Sequence, residues 1–260
     1  METRLSRVIC FSPTGSTKKI AVAVASGLGM PFVVADLSLP KGREELPGVE
    51  ENELVVLAAP VYYGRVQSIA ARCFSGIAGR GQPAVLVVNY GNRHYEDALL
   101  ELFDVAVAAG FTPIGATALV SEHSFATEDY PMAKGRPDAV DMEAAHAFGE
   151  RMAEKLRAGA TKLEHVPGNS PYKAYPDFHR APVSTEACSL CGACAEVCPT
   201  SAISVEPDGI VTSEQGCIVC QACVKLCPEG ARVDSAPGAK ETREYLKPLV
   251  AERREPEFFE

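Results

Sequence analysis

A chain of 260 residues, 47% hydrophobic and 23% charged, has the composition of a globular protein of more than one domain, and no apolar stretch approaches the roughly 18 to 20 residues of a membrane-spanning helix. The net charge of −9 is unevenly placed: residues 1–180 carry 21 acids against 18 bases with no Lys/Arg run, which argues against nucleic acid, whereas residues 181–236 hold seven acids against only Lys225 and Arg232. The run Val8 to Phe11 is too short for a secretory signal, so a cytoplasmic location is expected, and ten cysteines then point to metal or redox chemistry rather than disulfides.

In chain order, residues 1–157 alternate short apolar runs with helical periodicity. Strands are expected at Val8 to Phe11, Phe32 to Ala35, Leu54 to Ala59, Ala84 to Tyr90 and Ile114 to Val120, all five read as buried. Amphipathic stretches at Thr17 to Ser26, Glu96 to Ala109 and Asp138 to Arg157 complete a βαβ alternation. That alternation predicts a doubly wound α/β domain with a five-stranded parallel sheet wrapped by helices.

The first strand-to-helix turn reads Ser12-Pro13-Thr14-Gly15-Ser16-Thr17, followed by Lys18. Its hydroxyls, free amides and helix dipole favour an anion such as phosphate; the alternative is an ordinary turn capped by Thr17. No Walker lysine pattern is present, and the one Gly-x-Gly, Gly27 to Gly29, follows a helix rather than a strand. The third strand leads into Pro60-Val61-Tyr62-Tyr63-Gly64, and the fourth into Asn89-Tyr90-Gly91-Asn92-Arg93-His94-Tyr95. Both loops leave the carboxyl ends of their strands, where an open α/β sheet binds its ligand, and their aromatic rings suit a flat ring system.

These loops resemble those of the flavodoxins. The first is similar to their Thr-x-Thr-Gly-x-Thr phosphate loop, with Ser12 in place of the first threonine and Pro13 as x. The resemblance implies strand order 2-1-3-4-5 and bound FMN, with Gly91 and Tyr95 matching the glycine and stacking tyrosine and with Tyr62 or Tyr63 covering the other face. Two departures stand out: the chain has no Trp, and the acid after the glycine is replaced by Asn92 with Arg93 following. A cation near flavin N1 would stabilise the reduced anion.

After the fifth strand, Ser121 to Phe125 also open on the carboxyl edge, where His123 either donates a proton or caps the loop. Residues 158–180, with Pro167, Pro171, Pro176, Gly159, Gly168, Tyr172, Tyr175 and Phe178, read as a linker aromatic enough to pack on a domain.

Residues 181–236 then carry Cys188-x2-Cys191-x2-Cys194-x3-Cys198-Pro199 and, 29 positions later throughout, Cys217-x2-Cys220-x2-Cys223-x3-Cys227-Pro228, with Ala193 and Ala222 also repeated. Three closely spaced thiolates serve one iron-sulfur cubane while the fourth, set apart before proline, serves the other. On that pattern Cys188, Cys191, Cys194 and Cys227 hold one 4Fe-4S cluster, and Cys217, Cys220, Cys223 and Cys198 the second. Structural zinc would need only two C-x2-C pairs. Leu190, Val197, Ile203, Ile218, Val219 and Val224 are expected to wrap the clusters, and Cys10 and Cys73 to be plain core thiols. Residues 237–260, charged with both signs, read as a short exposed helix and tail.

This segment resembles the bacterial two-cluster ferredoxins, which implies a smaller α+β domain. The whole chain is similar to the flavodoxin-ferredoxin fusion proteins of anaerobic bacteria and archaea. That resemblance implies FMN and two 4Fe-4S clusters exchanging electrons with a redox partner protein, a ferredoxin-type donor or acceptor. Two other functions stay open: an FMN-dependent reductase of a small quinone, nitro, azo or enone acceptor, and a structural or sensing iron-sulfur protein with an empty flavin fold.

Overall fold

The computed structural model describes residues 3, 5–159, 162–177, 179–235 and 238–260; Phe178 lies outside them. In the first part of the chain the elements are β1 (Leu5–Cys10), α1 (Ser16–Gly27), β2 (Phe32–Asp36), β3 (Glu53–Tyr62), the short β4 (Arg65–Val66), α2 (Ser68–Ser75), β5 (Pro83–Tyr90), α3 (Ala98–Ala108), β6 (Thr112–Val120) and α4 (Ala139–Arg157). The parallel strands lie in the order β2-β1-β3-β5-β6, which is 2-1-3-4-5 when the main strands alone are counted, the flavodoxin-like doubly wound topology.

Period-2 alternation sends the strand side chains to two separate cores. Ile9, Val55, Leu57, Leu86 and Val88 pack with Phe74 of α2 and Leu99 and Leu102 of α3. Val8, Val56, Val85 and Val87 pack on the other face with Ile20 and Val24 of α1 and Phe148 and Met152 of α4. Gly27 belongs to this second layer. A Cβ there would meet the carbonyl oxygen of His146 at 1.9 Å, and one on Gly149 would meet that of Val24 at 2.1 Å, so the two glycines let α1 and α4 touch backbone to backbone.

Three expectations need correction. The second strand is not buried: β2 is the sheet's edge, and Phe32, Val33 and Val34 are 36 to 40% exposed. Helix α2 was not foreseen, because Ser68–Ser75 is short; it is capped by Gln67, whose side chain accepts from the Ile69 and Ala70 amides. The C-terminal segment is not an exposed tail. Beyond a helix at Ala239–Leu249 it returns as a strand, Glu257–Phe259, which pairs antiparallel with β6. That strand covers an edge that would otherwise present unpaired backbone groups.

The second part contains β7 (Val183–Ser184), α5 (Ala193–Glu196), β8 (Ile203–Glu206), β9 (Gly209–Thr212), α6 (Ala222–Lys225), β10 (Arg232–Val233), α7 (Ala239–Leu249) and β11 (Glu257–Phe259). β7 pairs with β10, and β8 with β9, giving a small α+β unit. The stretch before it is tied down rather than free. Asp97 accepts from the Asn169 and Lys173 amides at 2.9 and 2.7 Å, the Tyr175 hydroxyl donates to the Val66 carbonyl, and the Arg65 guanidinium lies 4.7 Å and 5.1 Å from the Tyr172 and Tyr175 ring centroids. Among the described residues no helix is long and apolar enough to cross a membrane.

Candidate functional site

A cavity of about 530 Å³ opens at the carboxyl edge of the sheet, within the size range of ligand pockets. The loop after β1 contributes Pro13, Thr14, Ser16 and Thr17; the end of β3 contributes Pro60, Val61, Tyr62 and Tyr63; the loop after β5 contributes Asn89, Tyr90, Gly91 and Arg93. These segments, far apart in sequence, meet because β1, β3 and β5 are adjacent parallel strands ending together.

The first loop is built to receive an anion without a cation. Gly15, in the left-handed region at φ 88°, turns the chain into α1. Helix geometry leaves the first-turn amides without intrahelical partners; Ser12 Oγ accepts one, that of Lys18 at 3.0 Å, leaving the amides of Ser16 and Thr17 at the cavity edge. The Lys18 ammonium turns aside to Asp36 at 3.1 Å. Asn89 Nδ2 donates to Ser16 Oγ at 3.0 Å and Thr17 Oγ1 at 3.1 Å, while its buried Oδ1 has no partner among the described residues. An orphaned buried acceptor beside hydroxyls and free amides is what a hydroxylated phosphate ester would satisfy.

Not every residue expected here lines the cavity. Ser12 is buried and works as a cap. Gly64 packs against the Glu96 side chain, which would meet a Cβ there at 1.9 Å. Asn92 is buried too: its Nδ2 donates to the carbonyls of Val250 and Glu252 at 2.9 and 2.7 Å, and its Oδ1 accepts from the Arg254 amide at 3.0 Å. Tyr95, expected to stack on a flat ring, is only 3% exposed and gives its hydroxyl to Glu257 at 2.7 Å. Both residues hold the returning C-terminal segment instead.

Other segments take their place. The linker supplies Lys173 to Pro176, with Tyr175 edge-on to Tyr63 at 6.5 Å; the loop after β6 supplies Ser121 to Phe125; α7 supplies Thr242, Tyr245 and Leu246. Only the aromatic content of the linker hinted at this. His123 packs so closely on Gly91 that a Cβ there would lie 2.4 Å from its ring, which is why that position is glycine. The His123 Nδ1 accepts from the Phe125 amide at 3.1 Å, placing the proton of the neutral ring on Nε2. Burial, then Arg93 and Lys225, pull its pKa down to about 4, so the ring is neutral at physiological pH.

The eight cysteines ring two hollows. One is bordered by Cys188, Cys191, Cys194 and Cys227, the other by Cys198, Cys217, Cys220 and Cys223. Each set draws three members from one copy of the repeat and one from the other. Among the described residues no three His, Cys, Asp or Glu side chains are drawn close enough to hold a single metal ion. The two ligand loops also share a backbone: Leu190 and its counterpart Val219 have φ 56° and 55°, and Gly192 and its counterpart Gln221 φ 81° and 63°. Positive φ is costly for a β-branched valine, so the loop shape outweighs local preference.

Sulfur-directed amides accompany these loops, from Val219 to Cys217 Sγ at 3.4 Å and from Ala202 to Cys198 Sγ at 3.3 Å. Burial opposes ionisation of Cys227, but the amides of Arg232, Glu229 and Ala231 outweigh it and draw the thiol down. Burial pushes Cys220 up to about 12 and Cys223 to about 11, so these stay protonated unless a cation displaces the proton. Of the expected wrapping, Ile203 and Val219 are buried and Val197, Ile218 and Val224 partly so, whereas Leu190 faces solvent. Cys10 is a core thiol pushed up to about 12 by burial.

The two regions touch. Ile218 borders both the carboxyl-edge cavity and the hollow of the Cys217 set. Tyr62 lies beside that set as well; burial first, then the neighbouring Cys220, raise its hydroxyl. Lys225 binds Glu122 and, at 3.2 Å, the Ala126 carbonyl, while Arg43 reaches the Pro199 carbonyl.

A family model described as "4Fe-4S binding domain" matches residues 181–204, the stretch that holds the first four cysteines of the repeat. Among solved structures, the chain is similar to a flavodoxin from the domain Archaea (15% identity, 59% of this chain and 99% of that one, TM-score 0.43). It is also similar to the flavodoxin of Streptococcus pneumoniae TIGR4 (18% identity, 58% and 99%, TM-score 0.41) and to flavodoxin 1 of Bacillus cereus (14%, 58% and 97%, TM-score 0.39). No curated protein sequence matches.

Proposed function

We propose that this flavodoxin-ferredoxin fusion is an electron-transfer iron-sulfur flavoprotein that holds FMN at the carboxyl edge of the sheet and two 4Fe-4S clusters in the cysteine hollows. When bound, a flavin exchanges electrons in pairs or singly and 4Fe-4S clusters carry them one at a time. The hydroxyls of Thr14, Ser16 and Thr17 and the free first-turn amides would hold the phosphate, and Asn89 Oδ1 would accept from a ribityl hydroxyl. Tyr62, Tyr63 and Tyr175 would supply the aromatic walls. Arg93 and Lys173 both border the cavity, and both are paired with Glu96, at 2.6 and 2.7 Å.

The observation that carries this reading is the shared wall at Ile218. It sets the cavity against the Cys217 hollow, and Cys191 of the other set is exposed, which supports electron passage from flavin through the two cysteine sets to the surface. Both bases of residues 181–236 are already engaged: Lys225 grips Glu122 and Arg232 is buried. What that unit turns outward is acidic, and it would dock on a basic patch of a partner such as a ferredoxin-type protein.

One observation favours the reductase reading, namely that Ser121 to Phe125 wall the cavity as a substrate pocket would require. Stopped-flow reoxidation of the anaerobically reduced protein separates the two. A carrier gives fast exchange with a ferredoxin-type partner and rates that stay linear in the concentration of quinone, nitro, azo or enone compounds. Saturable turnover with one of these would move the assignment to a reductase.

A further inference from the structure

We infer that Arg232 is a positioning residue shared by both cysteine hollows, placing a fixed positive charge between the clusters and turning its Nε–H toward cluster or ligand sulfur. The inference rests on the two-cluster reading above. Arg232 is 2% exposed and borders the hollow of the Cys188 set. Its Nη2 donates to the Pro182 carbonyl and to Thr212 Oγ1, each at 2.7 Å, and both of those residues border the other hollow. Nη1 donates to Ser184 Oγ at 3.1 Å, while Nε is buried with no hydrogen-bond partner among the described residues.

The three hydrogen-bond partners are neutral, and a buried cation requires compensating negative charge. The other buried arginine of this region, Arg180, has such a partner in Asp234 at 2.9 Å. For Arg232 the negative charge on either side is that of the thiolates and the clusters they would hold. Its side chain therefore lies between the two hollows, at the border of one and bonded to two residues that border the other. One-electron reduction adds a negative charge to a cluster. A guanidinium fixed between two clusters therefore favours the reduced form of both, as hydrogen bonds and local charge do at such centres generally.

The test is an EPR-monitored dithionite titration of the holoprotein, its Arg232→Gln variant and its Arg232→Lys variant, with iron content measured on each. In Arg232→Gln both midpoints should fall, with about a tenfold loss in each one-electron reduction constant, about 59 mV. Arg232→Lys, which keeps the charge and lacks Nε–H, should recover most of that. Unmoved midpoints at full iron content would overturn the inference, as would a shift confined to one cluster. About four iron in the wild-type protein would instead fail the two-cluster reading. Should the variants lose their clusters, wild-type protein grown on 15N-guanidino arginine decides: nitrogen hyperfine coupling on both reduced clusters supports the placement, and its absence from either overturns it.

Discussion

The carboxyl-edge cavity and the cysteine hollows are held in place by opposite means. The cavity is the rim of a sheet with a full hydrophobic layer on each face, where Val8, Ile9, Leu57, Leu86 and Val88 are wholly buried. The buried core cluster of the second unit is Cys194, Cys198, Ile203 and Cys223, three proposed ligands and a single isoleucine. One region has a fold that carries a site; in the other, the site supplies most of the core. A small unit with so little apolar burial would depend on the proposed clusters for stability.

The largest expected effect breaks the two apart. Anaerobic removal of iron takes away a binding energy that, for structural zinc, is about 10 to 16 kcal/mol. Residues 181–235 should become sensitive to protease while the first domain keeps its flavin and its own melting transition. A single unchanged transition after complete iron loss would contradict the comparison. Next comes the phosphate loop: Thr14→Val removes a hydroxyl proposed to serve a charged group, at a cost of about 2 kcal/mol, or roughly thirtyfold in FMN affinity. Ser12→Ala removes a cap and should lower stability by about 1 kcal/mol, with a smaller effect on affinity; titration calorimetry and urea melts distinguish the two.

A pH dependence is expected from His123, in the first domain but within the field of Lys225 from the second. Burial holds the folded pKa of His123 at about 4, below its ordinary 6.5, so the unfolded chain binds the proton more readily. Stability from this residue is complete above about pH 6.5 and declines as pH falls toward about 4. The urea midpoint should drop across that window in the wild type, and His123→Gln should flatten the slope.

The two regions also differ in how far local sequence reveals them. Crossed cysteine sets follow from a repeat whose ligands lie within forty residues, and the five main strands follow from their own apolar runs. Tyr95 and Asn92 read otherwise than they fold because their partners are remote. Tyr95 bonds Glu257, 162 positions away, and Asn92 bonds Glu252, 160 away. A strand of three residues, Glu257–Phe259, is too short to show a period of its own, yet it claims Tyr95, and the irregular stretch before it, which offers no period either, claims Asn92. The cavity's other walls, Tyr175, Tyr245 and Ile218, come from three more segments that only the folded chain brings together.

The measurement that bears most directly on this account is the iron, acid-labile sulfide and flavin content of the anaerobically purified protein. About eight iron, about eight sulfide and about one FMN per chain are expected. About four iron, zinc in place of iron, or no flavin after reconstitution would contradict it.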